Sequence, residues 1–175
     1  MVRMDEKPGN ALVIGGTGML AGATGWLAER SGRTVLVARH ASSVAAGDHR
    51  FVPLDADWHS PSFERDLTGV VAPLLPLRHA LLWLHDPGPA LMWLAPLLDQ
   101  ARTVIVLGDM DRPPPLLPCN GALVRLGSKP TDHGRRWLSY REISDAAIAA
   151  LIDGTSRMVG DLTPANEKGA GQPES

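Results

Sequence analysis

Cysteine is almost absent from this chain. Its 175 residues include a single cysteine, Cys119, so neither an intramolecular disulfide nor a zinc site built from several thiolates can form. The small disulfide-rich folds of secreted proteins are therefore excluded.

An excess of one charge is also lacking. The 17 basic and 19 acidic side chains give a formal net charge of −2. Without a surplus of positive charge, there is no electrostatic reason to expect a nucleic-acid or anionic-membrane partner. We therefore expect neither a nucleic acid nor a membrane as a partner.

No long uninterrupted hydrophobic run is present. A helix needs about 20 consecutive apolar residues to cross a bilayer, and the Leu- and Trp-rich stretch 74–98 is interrupted by prolines and charged residues. Residues 1–10 carry four charged side chains and no apolar run, which is unlike a signal peptide. These absences predict a cytoplasmic protein without a membrane segment.

The sequence does contain enough apolar residues for one folded domain. Hydrophobic residues make up 44% of the chain and charged residues 21%, close to the average for soluble globular proteins. A wholly disordered chain is therefore excluded. We predict one domain over residues 1–162 and a disordered tail, rich in Gly, Pro, Glu and Ser, over 163–175.

Short apolar runs alternate with helical patterns along the chain. Continuous apolar runs indicate strands of a parallel sheet that is covered on both faces. Strands are predicted over 11–14, 34–38, 51–54, 80–84, 103–107, 122–126 and 157–159, and helices over 19–30, 60–71, 89–98 and from the capping box at 139–142 onward. This alternation predicts an α/β fold: a single Rossmann-like, doubly wound, mostly parallel sheet of six to seven strands.

The most informative motif is the glycine-rich sequence after the first predicted strand. VIGGTGMLAG at 13–22 contains G-x-G-x-x-A at Gly16, Gly18 and Ala21, and G-x-x-G-x-x-A beginning at Gly15. Such a turn lets backbone amides approach a pyrophosphate at the positive end of the next helix, and the small Ala21 is expected to permit close helix–strand packing. The predicted cofactor contacts are Gly15, Gly16, Thr17, Gly18, Met19 and Leu20. The alternative is a tight strand–helix turn without a ligand.

The end of the second predicted strand indicates which dinucleotide to expect. Enzymes that select NAD place a carboxylate there, on the ribose 2′-hydroxyl, whereas this strand ends in Arg39 and His40, followed by Ser42 and Ser43. A guanidinium can bind a 2′-phosphate through two N–H groups. We therefore expect NADP(H) to be preferred over NAD(H); the alternative is that Arg39 is a solvated loop residue.

The end of the third predicted strand carries a further candidate. Asp55 and Ala56 stand where folds of this kind contact the adenine ring. A carboxylate at this position can equally cap the next turn of the chain. The sequence leaves both roles of Asp55 open.

Taken together, these motifs resemble the short-chain dehydrogenase/reductase superfamily. The GGTGML turn is similar to that of the atypical and extended branches. WLH at 83–85 and RWLSYREIS at 136–144 are similar to motifs of a group of short bacterial members. The resemblance covers residues 11–160, and it implies a Rossmann fold that binds a nicotinamide dinucleotide.

The catalytic residues of that superfamily have no counterpart here. Its members use a Tyr-x-x-x-Lys pair, in which the tyrosine donates a proton and the lysine lowers the tyrosine pKa. Tyr140, the one tyrosine, is followed four residues later by Ser144. The lysines stand elsewhere, at Lys7, Lys129 and Lys168, and the fifth strand ends in Leu107, Gly108 and Asp109 without the family's serine. The resemblance therefore leaves the reaction open.

Two side chains are the main candidates for a proton donor. His85 follows the fourth predicted strand, at the sheet edge where such folds bind ligands, and imidazole transfers protons near neutral pH. Tyr140 begins the last helix, and its phenol can act as an acid. The alternatives are a hydrogen-bonding histidine and an ordinary helix-start tyrosine. Asp109 and Asp111 can act as acid and base or can simply be solvated.

Three functions fit these motifs. The first is an NADP(H)-dependent oxidoreductase that reduces a small carbonyl or imine metabolite, an imine needing less help from an acid. The second is an NADP(H)-binding sensor or regulatory protein, and the third is a related scaffold with non-redox cyclase or isomerase chemistry.

Trp83 and Trp93 are predicted to be core residues rather than a stacking platform. No histidine spacing suits a metal, so we expect no metal ion; a homodimer is left open.

Overall fold

A computed structural model describes residues 8–108 and 113–161 of the chain. The candidates Asp109 and Asp111 and the predicted tail over 163–175 lie outside these ranges. The described residues form a central sheet with helices on both faces, which confirms the predicted α/β class.

Seven parallel strands form the central sheet. They are β1 (Asn10–Ile14), β2 (Thr34–Ala38), β3 (Phe51–Asp55), β4 (Leu77–Trp83), β5 (Arg102–Leu107), β6 (Gly121–Leu126) and β9 (Arg157–Val159). Their order is β3-β2-β1-β4-β5-β6-β9, a doubly wound arrangement. Between β6 and β9, strands β7 (Ser128–Thr131) and β8 (Gly134–Trp137) form a separate antiparallel hairpin. The sequence analysis missed this hairpin because its strands are polar and lack an apolar alternation.

Five α-helices accompany the strands in the part of the chain that the structure describes. They are α1 (Ala21–Arg30), α2 (Ala41–Val44), α3 (Phe63–Val71), α4 (Pro87–Leu94) and α5 (Tyr140–Asp153). The helix α4 ends before Pro96 and continues only as a 3₁₀ turn, because proline lacks the N–H that the next helical hydrogen bond requires. Within residues 8–108 and 113–161, no helix is long and apolar enough to cross a membrane.

The predicted helix start at Ser60 and Pro61 is wrong. The helix α3 begins at Phe63, because Ser60 forms a turn before it instead of a cap. The carbonyl oxygen of Ser60 accepts the Phe63 amide at 3.1 Å, and its hydroxyl lies 3.1 Å from that of Ser62. This local hydroxyl bonding competes with helical geometry.

Both faces of the sheet are buried under helices, which explains the continuous apolar runs. Val13 and Leu81 belong to the core under α1 and α5, whereas Leu12 and Leu82 belong to the core under α3 and α4. All four side chains are fully buried. Successive residues of a strand point to opposite faces, so a strand that is covered on both sides needs an apolar residue at every position.

The crossover that contains α5 has an unusual hand. The connections β1–α1–β2 and β6–α5–β9 run in opposite directions along the sheet, yet α1 and α5 cover the same face. The two crossovers therefore have opposite hands. Because such connections are right-handed in almost all proteins, the β6–α5–β9 connection is the left-handed exception. It brings the amino end of α5 next to that of α1.

The carboxylate of Glu142 anchors the hairpin to α5. Its oxygens accept Lys129 Nζ at 2.6 Å, both terminal nitrogens of Arg136 at 2.9 Å and the Ser139 amide at 2.8 Å. Ser139 and Glu142 form the predicted capping box, and Lys129 pairs with Arg136 across β7 and β8. Hydrogen bonds from Arg136, Lys129 and the Ser139 backbone hold the pKa of Glu142 well below its usual value.

Replacement of Glu142 by Gln is expected to destabilise the fold in a pH-dependent way. A carboxyl group whose pKa is lowered by folding stabilises the protein above its ordinary pKa of 4.5, and this contribution is lost as the pH falls toward the lowered value. Thermal unfolding of Glu142→Gln should therefore show a melting temperature a few degrees below wild type at neutral pH, with a gap that narrows as the pH falls below 4.5.

The control for this experiment is Glu64→Gln. Glu64 is exposed in the first turn of α3, so, like Glu142, it lies near the positive end of a helix dipole. The control should melt close to wild type at every pH. If the difference in melting temperature between Glu142→Gln and wild type does not change with pH, the ionised carboxylate is not the stabilising group.

Candidate functional site

The carboxyl ends of β1 and β4 form the centre of the candidate site. After β1 the chain continues to β2 on one side, whereas after β4 it continues to β5 on the other side. In open α/β sheets, this reversal opens a crevice in which ligands bind. The glycine-rich turn, residues 15–20, joins β1 to α1 at this crevice.

The first two glycines of the turn are required by the chain itself. Gly15 has a φ angle of 76°, in the left-handed region that favours glycine, and a Cβ there would lie 2.6 Å from the Trp83 carbonyl oxygen. A Cβ on Gly16 would overlap Thr24 Oγ1 and Val13 Cγ1. Neighbouring atoms of the protein therefore account for both glycines without a ligand.

Gly18 differs because nothing in the chain requires a glycine there. A Cβ on Gly18 would have no heavy atom within 4 Å, and Gly18 and Thr17 are both exposed. The backbone amides of Thr17, Met19 and Gly22 have no hydrogen-bond acceptor among the described residues. They lie at the amino end of α1, where the helix dipole favours an anion. This open cradle fits the pyrophosphate of a dinucleotide.

Two buried hydroxyl groups hold the turn from its inner side. Thr24 Oγ1, in α1, donates to the Gly16 carbonyl oxygen at 2.9 Å. Ser144 Oγ, in α5, donates to the Met19 carbonyl oxygen at 3.0 Å and accepts the Ala23 amide at 3.3 Å. The sequence analysis assigned neither residue to the site. The available signal was a single hydroxyl side chain on an otherwise apolar helix face.

The other residues of the turn divide between core and surface. The Leu20 side chain is fully buried, so only its backbone can reach a ligand, and Met19 is half-buried. The packing role predicted for Ala21 is wrong, because Ala21 is exposed. The turn and the start of α1 instead pack closely at two glycines. Gly16 lies against Thr24 of α1, and Gly22 lies against Ser144 of α5.

The predicted 2′-phosphate site lies at the carboxyl end of β2. Arg39, His40, Ser42 and Ser43 are all exposed there. Arg39 makes no hydrogen bond or ion pair to another residue within 8–108 or 113–161, so its guanidinium faces solvent. The structure thus offers a charged donor group near the turn, and a role in phosphate binding stays a prediction.

Asp55 caps the helix α2, which precedes it in the chain, and not the next turn, where Asp57 accepts the His59 amide. The Oδ1 atom of Asp55 accepts the Ser42 backbone amide at 2.7 Å at the start of α2. This bond, together with the Ser42 hydroxyl and the nearby His40, lowers the pKa of Asp55. Ala56 follows with its amide on the Ala38 carbonyl oxygen at 3.1 Å. An adenine contact by Asp55 or Ala56 stays a prediction.

The two candidate proton donors lie on different elements. His85 is exposed between β4 and α4, directly beyond the strand end that contacts Gly15. Tyr140 is 68% exposed at the first residue of α5, one helical turn before Ser144. Ser144, four residues after Tyr140, bonds the glycine-rich turn. The catalytic roles of His85 and Tyr140 stay predictions.

A polar cavity of about 550 Å³ lies at the opposite end of the sheet, where β4, β5 and β6 begin. Arg102 in its lining donates to the Leu151 carbonyl oxygen at 3.2 Å, which satisfies the carboxyl end of α5. Burial and the nearby Arg102 and Arg78 lower the pKa of His79. No three His, Cys, Asp or Glu side chains of the described ranges are placed to hold a metal. The glycine-rich turn therefore offers the better-defined site.

Comparison with known proteins supports the fold rather than an activity. No protein-family model matches the sequence, and no curated protein matches it. A short-chain dehydrogenase from Burkholderia cenocepacia J2315, in complex with NADP, is similar in structure, with a TM-score of 0.60, 17% sequence identity and alignment over 89% of this chain and 90% of that one.

Two further solved structures are similar over most of their length. A metagenomic short-chain oxidoreductase in complex with NADP has a TM-score of 0.61, 13% identity and coverage of 88% of this chain and 96% of that one. A short-chain dehydrogenase/reductase from Serratia marcescens has a TM-score of 0.54, 14% identity and the same coverage of 88% and 96%. The likeness confirms that this chain has the Rossmann-type fold of the short-chain dehydrogenase/reductases.

Proposed function

We propose that this protein binds NADP(H) at the glycine-rich turn and acts as an oxidoreductase that reduces a small carbonyl or imine metabolite. The observation that carries the proposal is Gly18. Its side-chain position is empty space in front of unpaired amides at the amino end of α1, so an external anion explains a glycine that the fold does not need. The NADP bound to two of the similar structures supports this choice of ligand.

Each half of the site has a defined task in this proposal. The amides of Thr17, Met19 and Gly22 bind the pyrophosphate, and Thr24 and Ser144 keep them in position. Arg39, exposed at the end of β2, binds the 2′-phosphate. The reduced nicotinamide supplies a hydride when it is bound. The carbon of the substrate's double bond takes that hydride, and its oxygen or nitrogen takes a proton.

The source of that proton determines which substrates the protein can reduce. His85 and Tyr140 are exposed near the carboxyl ends of the strands, and either can donate to the heteroatom of the substrate. A ketone or an aldehyde depends on such a donor in the transition state. A protonated imine carries its proton into the site, so it is the substrate that best tolerates the missing Tyr-x-x-x-Lys pair.

One observation favours a second function, an NADP(H)-binding sensor without turnover. A serine, Ser144, rather than a lysine stands four residues after Tyr140, and its hydroxyl bonds Met19 and Ala23. This side chain therefore supports the cofactor turn and supplies no positive charge that would activate the Tyr140 phenol. A chain that kept cofactor binding and lost catalysis would show this pattern.

Binding at the turn predicts opposite effects of two glycine-to-alanine substitutions. A Cβ on Gly18 and one on Gly25 both have no neighbour within 4 Å, so both variants should fold and melt like wild type or slightly above it. NADPH binding to Gly18→Ala should weaken about tenfold or more, because the new methyl group stands where the pyrophosphate must approach. Gly25→Ala, inside α1, should bind NADPH like wild type. Isothermal titration calorimetry measures both affinities.

Equal NADPH affinity of Gly18→Ala and wild type would contradict the assignment of the turn. A wild-type protein that binds neither NADPH nor NADH would overturn the proposed function as a whole.

The preference for NADP(H) predicts a selective effect of Arg39→Ala. Loss of a bidentate guanidinium–phosphate contact should weaken NADPH binding about tenfold or more and leave NADH binding unchanged, because NADH has no 2′-phosphate. Arg33→Ala removes an equal charge at the other end of β2, where Arg33 is exposed, and should change neither affinity. If Arg39→Ala weakens the binding of NADPH and NADH to a similar extent, Arg39 does not bind the 2′-phosphate.

Turnover separates the oxidoreductase from the sensor. With a panel of aldehydes, ketones and cyclic imines, NADPH oxidation should be detected by its absorbance. His85→Gln or Tyr140→Phe should lower kcat for a carbonyl substrate by about 10²–10⁴-fold, the usual contribution of a general acid, without changing NADPH affinity. The kcat of the same variant should fall by a smaller factor with a cyclic imine as substrate. If both variants keep wild-type rates, neither residue is the acid; NADPH binding without turnover of any substrate supports the sensor.

A further inference from the structure

Trp83 lies inside the crevice where the strand order reverses. It is the last residue of β4 and stands opposite the end of β1 in the parallel sheet. The sequence analysis predicted a core residue, but the side chain is only half-buried. One part of the indole packs against the core under α1 and α5, and the rest reaches solvent at the carboxyl edge of the sheet.

The indole spans the ends of three neighbouring strands. On one side, a Cβ on Gly15, after β1, would lie 3.2 Å from Trp83 Cβ and Cδ1. On the other side, a Cβ on Gly108, after β5, would lie 2.9 Å from Cη2. The ring therefore runs from the glycine-rich turn across the end of β4 to the end of β5. Both strands that flank it are followed by a glycine, which leaves room for the ring.

The strand order fixes which half of a bound dinucleotide meets this ring. β2 and β4 lie on opposite sides of β1. If the pyrophosphate rests at Gly18 and the 2′-phosphate of the adenosine half at Arg39, that half extends over β2. The nicotinamide half must then extend the other way, over the ends of β4 and β5, where the indole lies.

We propose that the Trp83 indole is the surface against which the nicotinamide riboside of NADP(H) rests, so that Trp83 positions the reactive ring. This inference rests on the proposed function, because it requires the pyrophosphate to sit at the turn. An aromatic platform suits a flat heterocycle, since stacking of a base on an aromatic side chain contributes measurable affinity in other nucleotide sites.

The first test compares two ligands that differ only in the half of the molecule over Trp83. NADP⁺ carries the nicotinamide riboside, whereas 2′-phosphoadenosine 5′-diphosphate lacks it and keeps both phosphate contacts. Trp83→Leu should weaken NADP⁺ binding about tenfold or more and change binding of the fragment by less than about twofold. A purely structural role of Trp83 would weaken both ligands alike. Trp93→Leu is the matched control, because Trp93 packs edge-on against Phe63 under the opposite face, and it should change neither affinity.

A second readout uses fluorescence and needs only a mild substitution. NADP⁺ quenches an indole that it touches, and it absorbs too little at the emission wavelength for quenching by energy transfer. Saturating NADP⁺ should quench wild type and Trp93→Phe, and most of this quenching should vanish in Trp83→Phe even where the affinity is retained.

The outcomes separate this inference from the function on which it rests. Equal losses for NADP⁺ and the fragment in Trp83→Leu, no loss for either ligand, or unchanged quenching in Trp83→Phe would overturn the role of Trp83 while leaving dinucleotide binding intact. If the wild type binds neither NADP⁺ nor the fragment, the proposed function itself is wrong.

Discussion

The candidate site depends on a turn that is bonded to the protein on its inner side and open on its outer side. Thr24 and Ser144 bind carbonyl oxygens of the turn, and Gly15 lies against the backbone of Trp83. These contacts fix the path of the chain before any ligand arrives. Preorganised donors lose little entropy on binding, so the amides around Gly18 are ready to bind an anion.

The left-handed crossover of α5 makes this arrangement possible. By covering the same face as α1, α5 places the Ser144 hydroxyl at the amino end of α1. The first turn of α5 is in turn fixed by Glu142, which joins the capping box to both strands of the hairpin. The last third of the chain therefore holds the geometry of a site that lies near its beginning. Tyr140, at the start of the same helix, is positioned by these contacts too.

The elements that could be predicted from the sequence are those determined by residues close to one another in the chain. The apolar runs predicted the strands of the sheet. The glycine motif predicted the turn, and the capping box predicted the start of α5. The hairpin was missed because charged side chains, rather than an apolar alternation, stabilise it. The roles of Ser144 and Trp83 depend on contacts between distant segments, so only the tertiary structure reveals them. Asp55 needed the structure for the same reason: its partner Ser42 is on another element.

Backbone amide shifts measured by NMR during a titration with NADP⁺ test the central claim most directly. If the open side of the turn holds the pyrophosphate, the largest shifts should fall on Thr17, Gly18, Met19 and Gly22, and they should saturate together. Shifts that instead cluster around the polar cavity at the other end of the sheet, or amides of the turn that do not move at saturating NADP⁺, would contradict the account.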